Sequence, residues 1–383
     1  MNYKAIAITV GAVLLFCGAT TATGLVAQEI SYNLNHKSMV GTYLLYEIDG
    51  SYNDNTNNDT YSIDGLMSQE YLDYDSKHGY QTKTEMTMTI DAGTFSRTTA
   101  ESETKWSDED DGNNHEYKKT GETTLSTDFG DKKCEIWEFN DNGDWGIEYV
   151  GSNDIIYLAE GTSTEENSTM NFTYKLVSIN EKDKVKLTRE YSWSYKGQQY
   201  STTLDIALSD FVKYRTDSIV RSQVTNDNNK HDLSLVTYND RYVKDIANAI
   251  KTKSAGMSDI DRIGMVLAFT QYIEYCYDEI SIGEDEYWKY PVETLVDMNG
   301  DCEDTSILFC AIAKQLGYDT CMIVYTDHMA AGVNLAGLSG YYYTFETKHY
   351  YYCETTQSGW DIGDTPYPKY QQTENWSPRP IIV

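Results

Sequence analysis

The chain has 383 residues, with 60 Asp or Glu against 30 Lys or Arg, a formal net charge of −30 at pH 7. That balance argues against nucleic acid as a partner, because such binding needs a basic face. Hydrophobic residues make up 40%, ordinary for a globular protein, and the length is enough for two domains with a sizeable core.

After Met1-Asn2-Tyr3-Lys4, residues 5–27 are nearly all apolar or small. A short basic start and a long apolar run read as a signal peptide or as an N-terminal membrane anchor, and both readings stay open. Either places the remainder outside the cytoplasm, secreted or membrane-anchored. Cys17 reads as a small apolar residue of this segment. Seven cysteines are few for a disulfide scaffold of this length.

Residues 28–235 read as a β-rich domain of antiparallel strands. The run Val40–Ile48 is strand-like and ends at Asp49-Gly50. Met86, Met88 and Ile90 alternate with period two. Two strand-like runs flank Asn142-Gly143, a hairpin signal. Tyr numbers 34 and suits strands whose polar tips stay wet. The Asp- and Asn-rich stretches 53–59 and 107–114 lack the regular Ca²⁺-loop spacing and read as solvated loops, with no metal ligands assigned. His115 reads as a solvated loop residue. A polar link at 226–230 marks the domain boundary, with residues 236–383 as the second domain.

Two helices are predicted next. Val243, Ile246, Ala247 and Ile250 share one face, and Ser258 caps a second run with Ile263, Val266 and Leu267 apolar. Then comes Gly300-Asp301-Cys302-Glu303-Asp304-Thr305-Ser306, followed by apolar residues at helical spacing to Gly317. Asp301 suits an N-cap, and Asp304 stands three places on, where a carboxylate can bond back to the cap N–H. Cys302 therefore falls at the first helical position. There the dipole and unpaired N–H groups favour a thiolate, the reactive form of cysteine. Strands follow at 321–325, from His328 on and at 350–353, and the end from Pro366 reads as irregular. Helices followed by strands predict an α+β domain with the helix on an antiparallel sheet.

Cys302, His328 and Glu354 follow one another at equal intervals of 26 residues. This order resembles the transglutaminase-like branch of the papain-like cysteine enzymes. The likeness rests on Gly300-Asp301-Cys302-Glu303-Asp304, on His328, on Glu354 before Thr355-Thr356, and on the segment Tyr287–Leu295. It spans about residues 241–365. The resemblance implies a transglutaminase/papain-like fold for the C-terminal domain. It also implies a catalytic triad in which Cys302 is nucleophile, His328 base and Glu354 the orienting acid. Asp361 competes with Glu354 for the last role. Gln271 is a candidate oxyanion donor, weighed against an ordinary exposed helix Gln. Cys310 and Cys353 read as core residues.

The expected function is an extracytoplasmic peptidase or amidase cleaving peptide or isopeptide bonds through a thioester, with no cofactor. Its substrate would be a peptide, a protein or a cell-envelope polymer. The alternatives are a protein-crosslinking transglutaminase and a non-catalytic envelope binding protein.

Overall fold

The computed structural model describes residues 39–382 apart from 57, 92–95, 107–116, 142, 153–154, 166, 183–184, 224–229, 326, 367 and 372–378. The segment 5–27 with Cys17, the stretch 107–114, His115 and most of the link 226–230 lie outside these residues. Among the described residues no helix is long and apolar enough to cross a membrane.

The chain divides into two compact units. The first holds the described residues up to Lys186 together with Ala207–Thr216, and the second holds Leu187–Ile206 with Asp217–Val383. The first unit is built on nine strands in chain order. They are β1 (Tyr43–Asp54), β2 (Asp59–Asp75), β3 (Gly79–Asp91), β4 (Ser96–Trp106), β5 (Lys118–Thr127), β6 (Gly130–Asp141), β7 (Asp144–Val150), β8 (Ile156–Glu165) and β9 (Ser168–Ile179). They form one antiparallel sheet of order β4-β3-β2-β1-β9-β8-β7-β6-β5. Two meanders therefore meet where β1 pairs with β9.

Alternation decides which side of this sheet is buried. Leu44, Tyr46, Ile48 and Tyr52 of β1 share one core with Met86, Met88 and Ile90 of β3 and Phe172, Tyr174 and Leu176 of β9. Tyr43 and Leu45 point the other way, onto Leu208 and Val212 of α1 (Leu208–Arg215). Burying each such side chain is worth roughly 1.5–3 kcal/mol, which is what holds the register. The strand does not end at Asp49-Gly50 as expected. Both residues lie inside β1, paired with β2 and β9. A Cβ at Gly50 would lie 2.3 Å from the Asn171 carbonyl oxygen, so glycine here permits close strand approach. The two runs that flank Asn142-Gly143 do pair antiparallel, with Asp141 opposite Asp144.

The second unit begins with the hairpin β10 (Lys186–Tyr195) and β11 (Gln198–Ala207). After α2 (Lys230–Leu235) come the expected helices, α3 (Arg241–Lys253) and α4 (Asp259–Thr270). The Asp240 and Ser258 side chains cap them, accepting from Tyr242 and Asp261 N–H. Tyr191 and Trp193 of the hairpin pack on Phe269 of α4. Next are β12 (Glu274–Tyr275), α5 (Asp278–Ser281), α6 (Pro291–Asp297), β13 (Asn299–Gly300) and α7 (Cys302–Gln315). Five more strands are β14 (Asp319–Val324), β15 (Met329–Asn334), β16 (Tyr342–Phe345), β17 (Lys348–Cys353) and β18 (Arg379–Ile382), in antiparallel order β16-β17-β15-β14-β18. β16 and β18 were not expected. β18 pairs with β14 where the sequence reads as an irregular end.

Helix α7 packs against α3, α4 and α6 and against β14 and β15. Every residue from Ile307 to Ala313 is fully buried, as befits a helix that is apolar all round.

These elements overturn the α+β expectation with a distinct transglutaminase/papain-like C-terminal domain. The chain is predominantly β. Its nine-stranded antiparallel sheet is the largest element of structure, and the helical unit itself incorporates the β10–β11 hairpin. The helical periodicity at 241–270 is real, but long Thr- and Tyr-rich alternating strands decide the class.

Candidate active site

Cys302 opens α7, with Asp301 in the cap position and backbone angles of φ −97° and ψ −154°. Asp301 makes no side-chain cap hydrogen bond. Asp304 does not bond back to the cap either. Its carboxylate accepts the Lys289 backbone N–H at 2.7 Å and faces the Lys289 ammonium at 3.3 Å. The reason is the buried Lys289, which also lies 3.4 Å from Asp297. An ammonium withdrawn from water demands carboxylates close by. Gly300 is part of the same device: a Cβ there would lie 2.6 Å from the Asp304 Cβ.

The strands place the other two residues. β15 runs antiparallel to β17, with Ala331 opposite Cys353. His328, just before β15, and Glu354, just after β17, are therefore brought to the same end of the sheet. His328 Nε2 lies 3.2 Å from Glu354 Oε2. Glu354 also accepts from Tyr352 Oη at 2.8 Å, from Thr356 Oγ1 at 2.6 Å and from Thr356 N–H at 3.2 Å. Burial works to raise the Glu354 pKa, but these hydrogen bonds and the His328 charge outweigh it and hold the group below the usual carboxylate range. Asp361 hydrogen-bonds locally, its N–H donating to Asp364 at 3.3 Å.

Hydroxyl contacts tie the helix start to both strand ends. Thr355 Oγ1 lies 2.9 Å from Thr305 Oγ1 and 3.2 Å from Ser306 Oγ, and Ser306 donates to the Met329 carbonyl at 3.4 Å. Sequence reasoning noted the Thr355-Thr356 pair but not its division of labour: Thr356 fixes the Glu354 carboxylate, while Thr355 fixes the helix start.

Cys302, His328, Tyr325 and Met329 line one cavity of about 560 Å³ together with Asp301 and Glu303. The His328 ring is stacked near Tyr325, centroids 6.3 Å apart. Gln271 is placed elsewhere. Its Nε2 donates to the Glu354 carbonyl at 2.8 Å and the Trp360 carbonyl at 3.0 Å, so both its N–H groups hold the segment that carries Glu354. The backbone N–H groups at the start of α7 remain the candidate oxyanion donors.

The thiol is not poised as a thiolate. Burial pushes the Cys302 pKa well above the ordinary thiol value. The Glu303 and Asp301 charges and the hydrogen bond to Glu303 add to this, while the Met329 backbone N–H opposes it. Cys302 Sγ donates to Glu303 Oε2 at 3.0 Å. The expected dipole effect is thus overridden by carboxylates in the first turn, itself the place where a helix favours acids. Asp278, Asp301 and Asp304 offer oxygens within 4.8 Å of one another, the arrangement a cation would need. The Lys289 ammonium at Asp304 already supplies positive charge there. Cys134, Cys276, Cys310, Cys321 and Cys353 are free, like Cys302. Cys310 and Cys353 are fully buried core residues.

No family model matches the chain, and no curated protein matches it. Among solved structures it is similar to one named "Putative Cysteine Protease from Cytophaga hutchinsonii". The identity is 8%, the match covers 89% of this chain and 85% of that one, and the TM-score is 0.23. It is also similar to a structure named "Putative Protease from Parabacteroides distasonis", at 10% identity over 75% and 69% of the two chains with a TM-score of 0.24. A third is a DUF1329 family protein from Desulfovibrio piger, at 10% identity over 42% and 91% with a TM-score of 0.15. Likenesses this distant leave the site to be argued from its own geometry.

Proposed function

We propose that the chain is a thiol hydrolase that cleaves peptide or isopeptide bonds through a thioester on Cys302. One observation carries the reading: Cys302, at a helix start, shares a cavity with His328, whose ring is held by the buried Glu354 carboxylate. The motif resemblance to transglutaminase-like thiol enzymes supports the same roles.

In the reaction His328 removes the thiol proton as Sγ attacks the amide carbon. Because Nε2 is engaged by Glu354, Nδ1 is the nitrogen assigned to this transfer. The tetrahedral oxyanion is stabilised by N–H groups at the start of α7. His328 then protonates the leaving amine, and the thioester remains. Water, activated by the same imidazole, releases the acid and restores the thiol. Glu354, held ionised, keeps the ring in orientation and stabilises the imidazolium. The high thiol pKa means that the thiolate forms within the reacting complex rather than in the resting site. The work takes place outside the cytoplasm, on a protein or cell-envelope polymer, as the apolar start of the sequence suggests.

Trapping with hydroxylamine tests the thioester. The protein with a mixed peptide pool and hydroxylamine should yield peptide hydroxamates, and Cys302→Ala should yield none. Amine incorporation in place of hydrolysis would move the activity to transamidation. Cleavage undiminished in Cys302→Ala would refute the proposal.

A further inference from the structure

We propose that the cavity over Cys302 receives a cationic side chain, lysine or arginine, lying within a residue or two of the amide that is cleaved. This names the substrate class of the same site and rests on the hydrolase reading above.

The first observation is the wall facing the nucleophile. β12 pairs in parallel with β13, Tyr275 opposite Gly300, and the Cys276 N–H donates to the Gly300 carbonyl at 3.0 Å. This holds Tyr275 and Tyr277 beside the helix start. Both rings line the cavity, yet they are 41% and 61% exposed. They meet edge to face, with centroids 5.3 Å apart. Large aromatic rings left open at a cavity mouth present π-faces, which attract ammonium and guanidinium groups.

The second observation is the charge of the lining. Asp285 and Glu286 are exposed on the wall, Asp278 and Asp301 lie deeper, and no Lys or Arg is among the described lining residues. On a chain of net charge −30 an acidic wall alone decides nothing. What sets this one apart is that Asp278, 4% exposed, and Asp301 each keep a buried Oδ1 with no hydrogen-bond partner. The other Asp278 oxygen accepts the Tyr287 N–H at 2.7 Å. A carboxylate oxygen buried without a donor is costly, and an arriving cation removes that cost.

Lys289, on the Asp304 side of this cluster, makes ion pairs with other acids and leaves the Oδ1 atoms of Asp278 and Asp301 without a hydrogen bond. The Lys289 ammonium is buried against Asp297 and Asp304, and Lys369 pairs with Asp327 at 2.7 Å. Burial, followed by neighbouring carboxylates, pushes Asp278 up to about 9 and Asp301 up to about 8. The charged form of both is thus disfavoured, and an incoming positive group would favour it. An acidic or purely apolar side chain would leave these oxygens unpaired, so the same wall selects against it.

The test uses the full protein and matched fluorogenic peptides carrying Lys or norleucine, and Arg or citrulline, at each position flanking the amide. The expected result is a preference of about tenfold or more in kcat/KM for the charged member at one position. The preference should shrink as NaCl is raised from about 50 to about 500 mM, because salt screens the wall. It should also fall towards unity in Asp285→Asn/Glu286→Gln. The salt series on the native protein stands even if that double variant folds poorly. A ratio at or below one at every position, or a preference unmoved by salt, overturns the inference and leaves the hydrolase reading intact. Absence of Cys302-dependent cleavage of any peptide overturns both.

Discussion

The nine-stranded sheet and the surroundings of Cys302 both bury carboxyl groups, but they treat them differently. In the sheet, Glu148 of β7 is 4% exposed and meets Tyr117. Burial pushes it up to about 8, so it stays a neutral packing group at neutral pH. Around Cys302 the acids are gathered on a buried lysine, and some of them open into a cavity. One arrangement neutralises charge by holding a proton. The other sets acids around one buried ammonium and beside a thiol whose pKa they help to raise. The same residue type thus serves packing in one unit and lines a cavity beside a thiol in the other, and the partner supplied by the fold decides which.

The sharpest break of this contrast is on the catalytic side. His328→Ala should lower kcat/KM by about 10⁴-fold or more, and Glu354→Gln by about 10³-fold, with thermal unfolding little changed in the first. Steady-state rates on a cleaved peptide check both, and wild-type rates in either variant would remove the triad. Lys289→Met should then destabilise the second unit by about 3–5 kcal/mol, because carboxylates buried on the ammonium lose it. Denaturant unfolding measures this, and an unchanged midpoint would show that the cluster needs no cation.

Glu303→Gln sharpens the contrast in the opposite direction. Removing that charge and acceptor should lower the Cys302 pKa and speed alkylation by iodoacetamide at pH 7 about tenfold. A slower reaction would mean that Glu303 activates the sulfur.

The smallest effect belongs to the sheet. The folded protein holds the Glu148 proton up to about pH 8, while the unfolded chain releases it near 4.5. Its contribution to stability is therefore full below about pH 4.5 and is lost as pH rises through 8. Glu148→Gln should flatten that loss and raise Tm relative to wild type at pH 8 more than at pH 5. A parallel pair of Tm profiles would contradict the neutral-acid account.

Local signals carried part of this structure. The helices at 241–253 and 259–270 follow from their apolar spacing and, for the second, from the cap at Ser258. The β15–β17 register, not the equal spacing of Cys302, His328 and Glu354, brings the last two together. Long-range pairing hid the rest. Asp49-Gly50 looks like a strand end in isolation and is overridden by two neighbouring strands. Lys289, in a Trp-Lys-Tyr-Pro segment, is fully buried, which the segment alone does not announce. Asp304 is diverted from capping by that lysine, and Gln271 from the cavity by two carbonyls. The raised thiol pKa follows from burial, which no spacing encodes. The class of the whole chain followed from strand length summed over both units rather than from the segment around the nucleophile.

The most direct test of the central claim is mass spectrometry of a peptide library incubated with the full protein, with and without an added amine. The account predicts new carboxyl termini and a transient acyl mass on the Cys302 peptide, both absent in Cys302→Ala. An unaltered library with wild-type protein, or the same products from Cys302→Ala, would contradict it.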